Sequence, residues 1–291
     1  MLKTLKRAFS GHKSLQPEEV MIVKANGQHE SFDTEKLRFS LLQSGASAEA
    51  TEEVVTHLIP SLHSGMTTHD IYKHAFDILA KTSKPVARRY SLRRAVMELG
   101  PSGFPFEDFV AEILRAKGFQ CVTRQTLLGG CVPHEVDVVA YNDKKLILIE
   151  AKFHNELGTK SDIKVALYIK ARFDDLKDNV FSYGKENRKV TDSWLITNTK
   201  FSSTAIHYAV CKDMTLVGWN YPERGNLQDM IEEERLHPIT CLTTLSAAEK
   251  KVLLTAGVVL CSNIRKNPEV LRQLLDRRVD SNAVLTEINE L

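Results

Sequence analysis

The sequence predicts an α/β (α+β) chain in three parts: a small helical unit, a sheet core flanked by helices, and a small α-helical C-terminal module. Three observations carry this. Two β-branched runs, 134–141 and 144–153, flank Asn142-Asp143 and read as an antiparallel hairpin. Helical apolar spacing precedes the hairpin at Phe106, Phe109, Val110, Ile113 and Leu114, and reappears after residue 238. Gly100-Pro101-Ser102-Gly103 is a linker between the first two parts.

In chain order, residues 1–19 form a basic, polar tail containing Gly11 and Pro17. A strand through Ile22, a tight turn at Asn26-Gly27 and a return strand to Phe32 open the first unit, 20–99. Asp33 caps a helix over 34–44, and further helices are expected over 48–61, 71–81 and from Pro85 to Leu99. The second unit, 103–236, begins with the Phe106–Leu114 helix, which ends at Lys117-Gly118 with a glycine cap. A strand over 119–124 and a Gly129-Gly130 turn lead to the hairpin. A long helix over 161–176, a strand over 194–198, a helix from 201 and a strand over 216–219 follow. The tail, 238–291, reads as a separate piece with helices at 245–254, 261–266, 268–275 and 283–291.

A chain of 291 residues has material for two domains and a small third. Its formal net charge of +2 rules out a polycation, so nucleic-acid contact would come from local patches. The five cysteines, Cys121, Cys131, Cys211, Cys241 and Cys261, are scattered without a Cys-x-x-Cys pair, which argues against a zinc site or disulfide frame. No apolar leader or membrane-length segment is visible, so a soluble, cytoplasmic protein with no membrane partner is expected.

The hairpin carries the chemistry. With Asn142 and Asp143 as the turn, Asp137 falls opposite Leu148, on the face that also holds Glu150 and Lys152. Val136, Val138, Ala140, Ile147, Ile149 and Ala151 form the other face. Two carboxylates on a mostly apolar sheet suit a divalent cation, Mg²⁺ by its preference for oxygen ligands, and Lys152 could orient an attacking water. A strand end where the three side chains are solvated or paired is the other reading these residues allow.

The Ile-Val-Lys-Ala-Asn-Gly, Phe-Asp-x-Glu-Lys, Thr-Thr-His-Asp-Ile and Ala-Arg-Arg-Tyr segments of 20–98 resemble the ATP-cone domain of ribonucleotide reductases and their repressor. The resemblance implies binding of ATP or dATP through Ile22, Lys24, Glu30, Lys36 and Thr68. Lysines suit polyphosphate, and a helix start offers free N–H groups.

Residues 103–236, with Phe-Glu at the first helix, Val-Asp-Val-Val and Glu-Ala-Lys, resemble PD-(D/E)XK restriction endonucleases of the Mrr kind. The resemblance implies a mixed β-sheet core and a DNA endonuclease of restriction, defence or repair. Asp137 and Glu150 would bind Mg²⁺ (or Mn²⁺), Lys152 would serve the water, and Glu107 would be an outer ligand or partner of a metal-bound water. Double-stranded DNA would meet Lys160, Lys164, Lys170, Arg172 and the 185–189 segment, with His154 close to phosphate. Each of these cations reads equally as part of a solvated surface. The Leu-x-x-Ala-Gly-Val turn at 253–258 is similar to a helix-hairpin-helix element backed by Arg265, Lys266, Arg272, Arg277 and Arg278; packing or oligomerisation is the other use. Duplex cutting with one site per chain implies a homo-oligomer, a dimer or higher. The rival expectation is a non-catalytic regulator that senses ATP or dATP, binds DNA and retains the nuclease fold.

Overall fold

The computed structural model describes residues 20–24, 28–156, 158–275 and 279–291. The expected basic tail, the Asn26-Gly27 turn and the cations Arg277 and Arg278 lie outside them. The chain divides into two compact units, Met1–Ser91 and Leu92–Leu291.

In the first unit β1 (Met21–Val23) pairs antiparallel with β2 (His29–Ser31), setting Ile22 opposite Glu30. Helix α1 (Thr34–Gln43) starts at Asp33, whose carboxylate accepts from the Glu35 and Lys36 N–H groups. It is followed by α2 (Ala48–Leu58), capped by Ser47, and by α3 (Thr68–Thr82). The cap of α3 is Thr67, closed by a reciprocal bond with Asp70, so Thr68 is the first helical residue rather than the cap. Ile22, Phe32, Leu41, Val54, Leu58 and Leu79 are buried in one core. Helix α4 (Lys84–Met97) runs past the unit boundary, which therefore falls inside a helix, upstream of the Gly100–Gly103 stretch.

The second unit runs α5 (Phe104–Ala116), β3 (Gln120–Leu128), β4 (Pro133–Tyr141), β5 (Leu146–Lys152), β6 (Lys160–Ser161) and α6 (Ile163–Leu176). There follow β7 (Val180–Tyr183), β8 (Glu186–Lys189), β9 (Asp192–Thr197), β10 (Lys200–Phe201), α7 (Ser203–Cys211), β11 (Thr215–Val217) and α8 (Leu227–Glu233). The chain closes with α9 (Ala247–Thr255), α10 (Cys261–Lys266), α11 (Glu269–Leu274) and α12 (Ser281–Glu290). Five strands form a mixed sheet in the order β11-β9-β5-β4-β3, parallel through β11, β9 and β5 and antiparallel through β5, β4 and β3.

One cluster holds Phe106, Phe109 and Val110 of α5 together with Val138, Ala140, Ile147 and Ile149 of the sheet. A second gathers Val136, Val139, Leu146 and Leu148 with Leu176 of α6. The tail is not separate: Leu253, Ile264, Leu271, Val284 and Ile288 share the first cluster with Phe109 and Trp219. Each such side chain contributes about 1.5–3 kcal/mol on burial, which fixes the tail to the sheet unit.

The hairpin differs from expectation in register. Its turn is four residues long, 142–145, because the Asn142 side-chain oxygen accepts from the Lys144 and Lys145 N–H groups while Asn142 N–H donates to the Lys145 carbonyl. Val138 pairs with Ile149 and Tyr141 with Leu146, a shift of two residues that puts Asp137 opposite Glu150 instead of Leu148. A shift of two preserves which face each side chain takes. Val136 is the exception, since it packs with Val139 and Leu148 rather than with Val138. Strand β3 continues four residues beyond Arg124, and a β7–β8 hairpin occupies the region read as a basic segment. Among the described residues no helix is long and apolar enough to cross a membrane.

Candidate active site

Asp137 and Glu150 meet where the sheet ladder opens. On β3, Thr123 pairs with Val138 and Gln125 with Val136, which leaves Arg124 opposite Asp137 without a ladder pair. Arg124 has φ of +54°, in the left-handed region that a long side chain rarely adopts. On the other side the β4–β5 ladder ends at Val138–Ile149, and the Ala151 N–H donates to Asp137 Oδ2 at 2.8 Å. The Asp137 carboxylate thus takes a donor that a strand carbonyl would otherwise use.

Asp137 is pushed up to about 7, first by burial and then by the Glu150 carboxylate, against the Ala151 hydrogen bond. Glu150 Oε2 accepts from Arg172 Nη1 at 2.7 Å, with the Arg172 side chain 10% exposed. Arg172 stands 4.7 Å over the Tyr168 ring. It was expected to face DNA; the fold spends it on Glu150 instead. Lys170 likewise pairs with Asp174, and Arg188 donates to the Asn142 carbonyl and pairs with Glu186. Lys160 and Lys164 have no ion pair among the described residues.

Glu107, in the first turn of α5, is 8% exposed and held by Arg124 Nη1 at 3.4 Å. The other end of the Arg124 fork lies 2.9 Å from Asp108 Oδ1. Burial raises the Glu107 carboxyl, opposed by Arg124. Lys152, two residues after Glu150, is exposed at the end of β5 beside Thr197. His154 does not reach outward: its Nε2 lies 2.9 Å from Ser161 Oγ and its N–H donates to Asn198 Oδ1. Burial, followed by Lys152, lowers its pKa.

Glu150 thus lies close enough to raise the protonation of both Glu107 and Asp137, with Arg124 beside Glu107 and Arg172 beside Glu150. Asp137 and Glu150 fit a divalent cation: two converging carboxylates, one destabilised as an anion by burial and by the other, with Asp137 Oδ1 unengaged by the described residues. Among the described residues no three His, Cys, Asp or Glu side chains form a ligand set, so the remaining oxygens would be carbonyls and water. Arg124 was missed from sequence because its relation to Asp137 is a matter of register between strands.

In the first unit, Lys24 Nζ lies 2.7 Å and Lys36 Nζ 3.6 Å from Glu30 Oε2, so three of the predicted nucleotide residues converge. Ile22 is buried beneath them, opposite Glu30. Val23 bridges to Thr67 and donates to the Met66 carbonyl, which brings the start of α3 and Thr68 alongside β1.

An ATP cone domain matches residues 20–98, a restriction endonuclease domain matches 100–221, and an AF1548-like C-terminal domain matches 237–291. The chain therefore joins an ATP cone to a restriction endonuclease-like domain of the Mrr kind. An uncharacterised protein of Archaeoglobus fulgidus (strain ATCC 49558 / DSM 4304 / JCM 9628 / NBRC 100126 / VC-16) is 37% identical over 169 residues, covering 57% of this chain and 89% of that protein. The crystal structure of AF1548, a protein of unknown function, superimposes with a TM-score of 0.55 at 33% identity, over 65% of this chain and 97% of that one. The chain belongs to the AF1548-like family. The restriction endonuclease MspJI, in complex with a 27-mer oligonucleotide, aligns at TM-score 0.28 and 13% identity over 82% of this chain and 48% of that chain.

Proposed function

We propose that the protein is a Mg²⁺- or Mn²⁺-dependent DNA endonuclease whose activity responds to ATP or dATP. The observation that supports this most is the Asp137–Glu150 pair. A fold gains nothing from two converging carboxylates, one of them pushed to about 7, unless a cation or proton compensates them.

Asp137 and Glu150 would hold the cation, which when bound acidifies water and polarises a phosphoryl oxygen. The Ala151 N–H fixes the Asp137 carboxylate, and Arg172 fixes Glu150. Lys152, exposed on the same strand, would hold the attacking water in line and donate to the phosphate as negative charge develops. Glu107, paired with Arg124, would exchange a proton with a water at the same site. Lys24 and Lys36 would release Glu30 to take polyphosphate, coupling nucleotide to that exchange of partners. We assign the segments as ATP cone 20–99, nuclease 103–236 and AF1548-like tail 238–291, acting as a homo-oligomer on double-stranded DNA.

Calorimetric titration with Mn²⁺ at pH 8 tests the site. Wild type is expected to bind and Asp137→Ala and Glu150→Ala are not. Equal binding by all three would refute the assignment, and absence of binding by wild type would favour a non-catalytic nucleotide sensor.

A further inference from the structure

Asn198 directly follows β9 and is 1% exposed. Its side chain closes a two-bond ring with the backbone of one residue. Oδ1 accepts from the His154 N–H at 2.8 Å, and Nδ2 donates to the His154 carbonyl at 2.9 Å. Nδ2 also donates to Met97 Sδ at 3.1 Å. A carboxamide carries the same donor and acceptor types as a peptide group, so this contact copies a rung of a sheet.

The copy stands where the rungs stop. Strands β5 and β9 pair in parallel through Ala151 with Ile196 and Lys152 with Thr197, and Lys152 is the last residue of β5. Two residues on, His154 has left the ladder, and Asn198 takes both of its backbone groups. The same stretch is held by two further contacts. Phe153 meets Phe106 of α5 with ring centroids 5.5 Å apart, and His154 Nε2 lies 2.9 Å from Oγ of the buried Ser161. Thr197 and Thr199, on either side of Asn198, are fully buried, so the clamp is itself fixed.

Lys152 gives the clamp its use. Asp137 is aimed by the Ala151 N–H and Glu150 by Arg172. Lys152 is exposed, and among the described residues no ion pair or hydrogen bond holds its amino group. A lysine stem is flexible, so its ammonium reaches a set point only from a Cα whose position and direction are fixed. The ladder fixes Lys152 from the N-terminal side, and Asn198 fixes the chain on the C-terminal side.

We propose that Asn198 is a positioning residue for Lys152: by holding the His154 backbone it sets the end of β5, and with it the approach of the Lys152 amino group to water and phosphate beside Asp137 and Glu150. The inference deepens the nuclease reading and rests on it for the reaction that Lys152 serves. Asn198 is sealed from solvent, so it acts through the chain and not by touching DNA or metal.

The test has two arms, both on the full chain. The first is residue-resolved amide exchange without metal. In wild type the His154 N–H is expected to exchange as slowly as the β5 amides, although it lies outside the strand. In Asn198→Ala and the near-isosteric Asn198→Asp it is expected to lose that protection while residues 147–150 keep theirs. Fast exchange at His154 in wild type would overturn the proposal without reference to any variant. The second arm is plasmid nicking in Mg²⁺ beside calorimetric titration with Mn²⁺. Both Asn198 variants are expected to lose roughly a hundredfold in kcat, with KM for plasmid and Mn²⁺ affinity unchanged. Ser161→Ala removes the ring contact of His154 and leaves the backbone clamp, so it is expected to keep kcat. A folded Asn198→Ala with wild-type kcat would overturn the proposal. So would losses in Asn198→Ala and Ser161→Ala that simply follow their lowered Tm, which is what a purely structural role gives. A wild type that cuts nothing removes the nuclease reading and the positioning role with it. Cutting that is undiminished in the Asn198 variants removes the positioning role alone.

Discussion

At the scale of single residues, Asp137 decides the electrostatics. Its folded-state pKa of about 7 lies above the unfolded value of about 3.9. A carboxyl raised in this way stabilises the fold fully below the unfolded pKa, and that contribution is lost as pH rises through 7. Asp137→Asn is therefore expected to raise Tm above wild type at pH 8, with the difference shrinking toward pH 4. A Tm difference that is flat from pH 4 to 8 would mean that Asp137 is not destabilised by folding. The same proton competes with metal, so divalent-ion affinity should fall as pH drops below 7. Arg124 carries a second residue-scale consequence. A left-handed backbone at an arginine costs about 1–3 kcal/mol, and the Arg124 side chain pairs with both Glu107 and Asp108. Arg124→Gly should relieve the backbone while freeing Glu107, which separates the two effects: cleavage falls although Tm does not.

At the scale of elements, α5 is what seats Glu107 against the sheet. Phe106, fully buried beside it, meets Phe153 with the two rings tilted and their centroids 5.5 Å apart. Phe106→Ala is expected to cost about 3–5 kcal/mol, measurable by urea unfolding; a loss below 1 kcal/mol would show that the helix is not anchored there. Elements were also the scale at which the sequence was most and least readable. The Asp33 cap made the start of α1 visible in the sequence. The Glu150–Lys152 spacing placed two site residues on one strand face because period two is a local property. The hairpin register was not local: Asn142 folds its side chain back on the turn, and no periodicity reports that. Arg172 looked like a solvated helix cation because its partner, Glu150, is 22 residues away in the chain. The tail looked separate because its burial depends on contacts with Phe109 and Trp219 that only the folded chain supplies.

At the scale of the whole molecule, an ATP cone precedes a restriction endonuclease-like domain. In the front unit Lys24 and Lys36 are both engaged by Glu30, an arrangement that polyphosphate would replace. Calorimetry with ATP and dATP is expected to show binding by wild type and roughly tenfold weaker binding by Lys36→Ala, the equivalent of about 1.4 kcal/mol for one charge-assisted contact. Identical isotherms for the two proteins would take Lys36 out of the site. Cleavage is read on supercoiled plasmid incubated with the full chain in Mg²⁺, with and without ATP. Wild type is expected to give nicked or linear product and Lys152→Ala none, with both proteins folded and both binding DNA. Product from Lys152→Ala at the wild-type rate, or no product from wild type with any divalent ion or nucleotide, would contradict it.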